Sequence, residues 1–292
     1  MRKEGRYQIL SSFWLRLIGM VTMTLDHIGL LFLYDPDPGI AQMAYIFRII
    51  GRIAMPIFAF LMAEGMRYTH DKRLYILRVA GLTALISIPQ AIAMYAMNMP
   101  LDYMPNPLLD LFFLILVLYC LTHEKIWVKF LSILPAGVMI ASFVIGVIET
   151  NQAVTVFWWP FAFRPAYNML VLLWGIGFYY APIIMRKILH SQNQSNGISD
   201  ELYEESPYGR QNANFLGCFF FFLTVLSFWG LSYVAERSID PLGMSMESWC
   251  LLAILPLLLY SGRKGYGPLW WKIFSYAYFP VHLIILFLIF GL

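Results

Sequence analysis

Charge is scarce in this chain. Of 292 residues only 13% are Asp, Glu, Lys or Arg, where soluble domains carry about 25%. Such a composition excludes an ordinary water-soluble domain and places the chain among membrane proteins. Cysteine is nearly absent: Cys120, Cys218 and Cys250 lie far apart in apolar segments, without CxxC or zinc spacing. They read as small hydrophobes, so neither a disulfide frame nor a metal site is expected. Also missing are an internal repeat, a phosphate-binding glycine loop and a nucleic-acid module. A single polytopic domain over residues 1–292 is the economical reading, with no nucleic acid among its partners.

What is abundant is apolar: 60% of the residues are hydrophobic and 17% aromatic. About 20 apolar residues span a bilayer core as a helix. Candidate spans are 12–34, 41–66, 74–97, 107–122, 127–149, 167–188, 213–235, 246–261 and 269–291, the fourth and eighth being short. The fold class expected is therefore all-α, a membrane bundle of about nine helices. Arg2, Lys3 and Arg6 precede the first apolar run as in a signal peptide. That run continues to Tyr34 with no small-x-small cleavage pattern directly after it, so it reads as a retained helix.

Loop charges give the orientation. With a cytoplasmic N-terminus, 16 of the 20 basic residues fall on the inner side, from Arg2 and Arg16 through Arg67–Arg78 to Arg263, Lys264 and Lys272. The outer loops receive Arg164 and Arg237. Aromatics agree: "FWWPFAF" (157–163) lies at the outer surface and "LWWK" (269–272) at the inner one. The polar stretch at 190–212 falls in the cytoplasm and reads as a solvated linker. A multi-pass protein of the cell (inner or plasma) membrane is the localisation expected.

Ionisable groups within a span cost several kcal/mol and usually face a bundle interior, a cavity or one another. The set here is Asp26 and His27 in the first span, Arg48, Arg52 and Glu64 in the second, and His282 in the last. Counting the 1.5 Å rise per residue puts His27, Arg48, Arg52 and His282 at a shared depth. Arg48 and Arg52 share a helix face. Pro56 withholds the amide that would bond the Arg52 carbonyl. Asp26 has two readings: it neutralises Arg48 or Arg52 and locks two helices together, or it favours the imidazolium of His27. Glu64 is expected to bridge to Arg67 or Arg78. Two arginines, one aspartate and two histidines exceed what one structural pair needs, which points to a functional site.

Arg16 precedes His27 by eleven residues, nearly the same face of a helix and ~16 Å nearer the cytoplasm. A cation at the inner mouth and an imidazole deep within suit an elongated anionic ligand entering from the cytosol, and coenzyme A has that shape. The spacing alone is weak, because juxtamembrane arginines are commonplace.

Three segments carry a resemblance. "RLIGMVTMTLDHIGLLF", "FRIIGRIAMPIFAFLMAEGMRYTHDKRLYILRVAGLTALISIPQ" and "FSYAYFPVHLIILF" look like the blocks of the TraX family. Those are an Asp-His-Ile-Gly helix, a Gly-Arg-x-x-x-Pro-x-Phe helix followed by a Tyr-x-x-Arg helix, and a terminal Tyr-Pro-x-His-Leu helix. They cover roughly a third of the chain. The resemblance implies a bacterial membrane acetyltransferase that modifies the N-terminus of a pilin, with acetyl-CoA as donor. TraX proteins in turn resemble the wider acyltransferase-3-like group, whose first helix carries an Arg-x10-His motif that Arg16 and His27 fit.

The mechanism expected is acyl transfer from cytosolic acetyl-CoA to an acceptor reached from the outer side, an exported peptide or other envelope component. His27 is the expected general base. Arg48 or Arg52 stabilises the oxyanion, Asp26 supports one or the other, and His282 orients His27, shares the proton work or lines the acceptor channel. Arg16, with Arg67, Lys72, Arg73 and Arg78, holds the CoA phosphates, although topology alone also demands those four loop cations. Two other classes stay open. A proton-coupled transporter also uses buried Asp, His and Arg, but needs paths from both faces and often shows internal repeats. A non-catalytic envelope scaffold needs no buried histidine.

Overall fold

The computed structural model describes residues 8–96, 106–234 and 243–290. Arg2, Lys3, Arg6 and Arg237, counted in the charge topology, lie outside them. Among the described residues the regular structure is helical, with only two isolated β-bridges. The helices are α1 (Ser12–Phe32), α2 (Pro38–Gly51), α3 (Ala54–Tyr68), α4 (Lys72–Ala96), α5 (Pro107–Leu121), α6 (Ile126–Phe130) and α7 (Ile133–Gln152). They continue as α8 (Met169–Ser195), α9 (Asp200–Glu205), α10 (Pro207–Val234), α11 (Met244–Glu247), α12 (Ile254–Leu258) and α13 (Leu269–Phe290).

Among the described residues, seven helical stretches are long and apolar enough to cross a membrane. Two shorter apolar ones, Pro107–Leu121 and Met244–Leu258, fall where the sequence has its short fourth and eighth spans. The second span differs from expectation. It is not one rod: α2 ends at Gly51 and α3 starts at Ala54, with the Arg52 and Ile53 amides tightening onto carbonyls three residues back. Pro56 then falls in the first turn of α3, where its missing amide costs no helical bond.

The chain divides into two compact units, Met1–Leu61 with Gly177–Leu223 and Met246–Leu292, and Met62–Ile176 with Thr224–Ser245. In the first, α1 and α2 form an antiparallel hairpin. Asp37 caps α2 by accepting from the Gly39 amide at 2.7 Å, and Pro38 opens the helix. The hairpin closes tightly because glycines stand where the helices cross. A Cβ on Gly29 would lie 2.6 Å from the Ala44 carbonyl oxygen, and one on Gly51 would collide with the side chain of Asp26. Small residues let membrane helices approach in this way.

Helix α13 runs parallel to α1. Phe13 meets Trp271 at one end (ring centroids 4.7 Å) and Phe32 meets Phe290 at the other (5.1 Å). The start of α1 is stitched to the segment before α13 by main-chain bonds, Leu10 N–H to Leu259 O at 3.0 Å and Ser12 N–H to Arg263 O at 2.8 Å. Two segments that the charge rule puts in the cytoplasm therefore meet at one end of this unit.

The polar stretch 190–212 departs from the linker expected of it. It continues α8, turns at Gly197, and forms α9 and the start of α10. Ser199 caps α9 by accepting from the Leu202 amide, and Tyr203 is buried. An N-cap serine followed by Asp200 and Glu201 is a helix-start signal that outweighs the polar composition.

In the second unit α5 is the most enclosed helix, and Asp110 in its first turn is fully buried. The Asp110 carboxylate accepts from the amides of Ala166, Tyr167 and Asn168 (2.6–3.1 Å), which ties the chain leading into α8. Arg164, counted from sequence as an outer-loop charge, is buried in a bidentate pair with Glu149 (2.8 and 2.9 Å). It also donates to the carbonyls of Val156 and Trp159, so the aromatic loop is held by its own main chain.

Candidate functional site

Asp26 and His27 are consecutive on α1, so their side chains leave the helix about 100° apart. They reach different neighbours. The two Asp26 oxygens go to the two arginines: Arg48 Nη1 donates to Oδ2 at 2.5 Å, and Arg52 Nη2 donates to Oδ1. Of the two sequence readings of Asp26, the pairing with arginines is present as hydrogen bonds. Arg52 also donates through Nη1 to Glu247 Oε2 at 3.0 Å and through Nε to the Arg48 carbonyl at 3.3 Å.

Glu247 is the residue that sequence reasoning missed. It ends the four-residue helix α11 and is 2% exposed, with Oε1 buried and unpartnered among the described residues. A lone acid at the mouth of a short span gives no sign of a partner 195 positions away. The result is a group of two cations and two anions joined by hydrogen bonds. Buried arginine–carboxylate pairs survive only with such geometry, because desolvating each ion costs several kcal/mol.

His27 and His282 form the second half of the site. Each Nδ1 lies 2.8 Å from a carbonyl one turn back, Met23 for His27 and Tyr278 for His282. A carbonyl only accepts, so both Nδ1 atoms carry hydrogen in the neutral rings and both Nε2 atoms carry the lone pair. His282 Nε2 then accepts from His27 Nδ1–H at 3.4 Å, with the rings edge to face at 5.0 Å. His27 Nε2 has no hydrogen-bond partner among the described residues, which leaves a basic nitrogen on a half-buried ring. All five sequence-expected reaction-centre residues, Asp26, His27, Arg48, Arg52 and His282, thus lie in the first unit and are linked as two groups.

The expected phosphate cations are placed differently. Arg16 is on α1, half-buried, with no hydrogen bond or ion pair among the described residues. Helix α1 is continuous from Ser12 to Phe32, so Arg16 and His27 do share a stripe. Arg67, Lys72, Arg73 and Arg78 belong to the second unit. There Arg67 pairs with Glu64 at 3.7 Å and lies over the Tyr68 ring at 5.3 Å, while Arg73 and Arg78 are exposed on α4. The Glu64–Arg67 bridge is one of the two partnerships expected for Glu64. Among the described residues no group of three His, Cys, Asp or Glu could hold a metal ion.

Neither the comparison with curated proteins nor that with solved structures returns a match. A family model described as TraX protein matches residues 11–191. The matched part contains Arg16, Asp26, His27, Arg48 and Arg52. Glu247 and His282 lie beyond it and rest on geometry.

Proposed function

The chain belongs to the TraX family, a family associated with pilin acetylation, and on that premise we propose that this multi-pass membrane protein is an acetyltransferase. It moves an acetyl group from cytosolic acetyl-CoA to an acceptor reached from the outer side. The N-terminal amine of a pilin or of another exported peptide is the acceptor favoured by the family. The membrane it occupies is the bacterial inner (plasma) membrane.

The observation that carries this reading is the 2.8 Å contact of His27 Nδ1 with the Met23 carbonyl, which can only accept and so sets the tautomer. The Nδ1 hydrogen of His27 is held by the Met23 carbonyl and shared with His282, so Nε2 offers a lone pair, and Arg48 and Arg52 lie close enough to act on the ring electrostatically. The acceptor nitrogen attacks the thioester carbonyl carbon; an N–C bond forms and the C–S bond breaks. The proton lost by the nitrogen goes to His27 Nε2 and is returned to the departing sulfur, which leaves as the CoA thiol. Arg48 and Arg52 supply the positive field for the oxyanion. Asp26 and Glu247 hold those guanidinium groups in place beforehand, which is where such electrostatic help is effective. Arg16, nearer the cytoplasm on the same stripe, takes the CoA phosphates.

The transporter alternative also uses buried Asp, His and Arg, and the His27 Nδ1–His282 Nε2 contact is the kind of link that a proton relay employs. A transporter further needs paths from both faces and often shows internal repeats, and the sequence carries no repeat.

The test is thiol release from acetyl-CoA by purified protein in nanodiscs with an N-terminal pilin peptide as acceptor. Wild type releases thiol in step with peptide acetylation, and His27→Ala reduces both by roughly 10²–10⁴-fold, the usual worth of a general base. Equal rates in the two proteins would remove His27 from the chemistry.

A further inference from the structure

We infer that Tyr278 is a positioning residue for the histidine pair, anchored to α1 through Thr24; this rests on the acetyltransferase reading and adds to it the groups that fix the base. Both residues lie in segments that carry the family resemblance, where the sequence alone gives neither a role.

The anchor is a hydrogen bond between helices. Thr24 Oγ1 lies 3.1 Å from the Met20 carbonyl, which can only accept, so the threonine hydrogen points there. The 2.6 Å contact between Thr24 Oγ1 and the Tyr278 hydroxyl then has the phenol as donor, and the phenol also reaches the same Met20 carbonyl at 3.4 Å. Met20, Thr24 and His27 fall on one face of α1. The phenol is thereby pinned about one turn below the proposed base.

From that anchor Tyr278 controls His282 twice. Its ring lies flat against the His282 imidazole, with an interplanar angle of 11° and centroids 5.2 Å apart, which restricts rotation of the imidazole. Its main-chain carbonyl accepts from His282 Nδ1 at 2.8 Å, which fixes the tautomer. Both effects aim His282 Nε2, buried on α13, at His27 Nδ1. When His27 takes the acceptor's proton at Nε2, the new imidazolium keeps its Nδ1–H on the Met23 carbonyl and on His282. A neutral imidazole thus stands where a catalytic triad has a carboxylate. Asp26, the adjacent carboxylate, is committed to the arginines and does not fill that position.

Tyr278 touches neither donor nor acceptor in this scheme, so its loss is expected in turnover and not in donor binding. Tyr278→Phe keeps the stacked ring and removes the anchor; Thr24→Val removes the short bond from the other side and leaves the phenol its longer contact with the Met20 carbonyl. Each lowers kcat roughly tenfold with KM for acetyl-CoA unchanged. The double variant falls no further than Tyr278→Phe, because that change alone removes every bond of the phenol, the one to Thr24 included. Thr24→Ser keeps the hydroxyl and restores kcat.

A second readout is independent of turnover. Side-chain ¹⁵N spectra of histidine-labelled protein, assigned with His27→Ala and His282→Ala, show both rings in the Nδ1–H form. In Tyr278→Phe the His282 signal broadens into a tautomer mixture. Unchanged kcat in Tyr278→Phe, a loss shared by KM, multiplying losses in the double variant, or an unaltered His282 spectrum each overturns the inference. Should wild type not turn over acetyl-CoA at all, the acetyltransferase reading fails alone, and the spectra still decide whether Tyr278 fixes the pair.

Discussion

At the residue scale, neighbours in sequence have become strangers in space. Asp26 and His27 read as one polar blemish in an apolar helix, yet the carboxylate serves α2 and the imidazole serves α13. The split has an energetic consequence. Removing one member of a buried ion pair costs about 3–5 kcal/mol because its partner is left buried and uncompensated. Asp26→Ala strips the shared partner from both Arg48 and Arg52 and is expected to cost about that much. Glu247→Ala leaves Arg52 its bond to Asp26 and costs less. Thermal unfolding in detergent ranks the two, and the reverse order would mean that Asp26 is not the hub. Arg16, with no partner to lose among the described residues, behaves differently. Arg16→Gln leaves the melting temperature unchanged and weakens acetyl-CoA binding about tenfold through one lost charge-assisted contact, read by titration. What the sequence revealed here was the set of expensive groups, because the bilayer makes them conspicuous. Who pairs with whom was not legible for Glu247, whose partner is fixed only by the packing of distant helices.

At the element scale, the site depends on how closely α1 and α2 approach. Gly29 and Gly51 occupy the crossing, where a methyl group would press on the Ala44 carbonyl and on Asp26. Gly51→Ala should therefore lower stability by about 1–3 kcal/mol, the usual cost of overpacking, and displace the carboxylate that holds both arginines. Gly81 in α4 and Gly137 in α7 are open: a methyl group on either would meet nothing within 4 Å. Their alanine variants are controls, neutral or more stable by up to about 1 kcal/mol from helix propensity. Equal destabilisation at all four positions, measured by thermal unfolding, would show that the crossing is not what matters. Helices themselves are readable from long apolar runs, including the two short ones. The break at Arg52–Ile53 is signalled by Pro56, but a proline three residues into a helix looks the same in sequence as one within it, so the sequence suggests a freed carbonyl inside one span. In the stretch 190–212 polar composition suggests a linker, and only the capping signals at Ser199, Asp200 and Glu201 mark the helix that forms there.

At the scale of the whole molecule, orientation and chemistry constrain each other. A donor from the cytosol requires Arg16 on the inner side and His27 toward the outer one, which the loop charges supply. The bonds from Leu10 and Ser12 to Leu259 and Arg263 place two basic segments at one end of the first unit, as a common cytoplasmic surface requires. Cysteines introduced at Lys264 or Ser195 should resist a membrane-impermeant maleimide on intact cells, while one at Trp158 should react. Labelling of the Lys264 position from outside would invert the topology. The most decisive experiment joins both faces: proteoliposomes with acetyl-CoA sealed inside and an N-terminal pilin peptide outside, followed by mass spectrometry of the outer peptide. Wild type is expected to acetylate the external amine while the donor stays enclosed, and His27→Ala is not. Acetylation that needs donor and peptide in the same compartment, or that survives loss of His27, would contradict transfer across the membrane by this base.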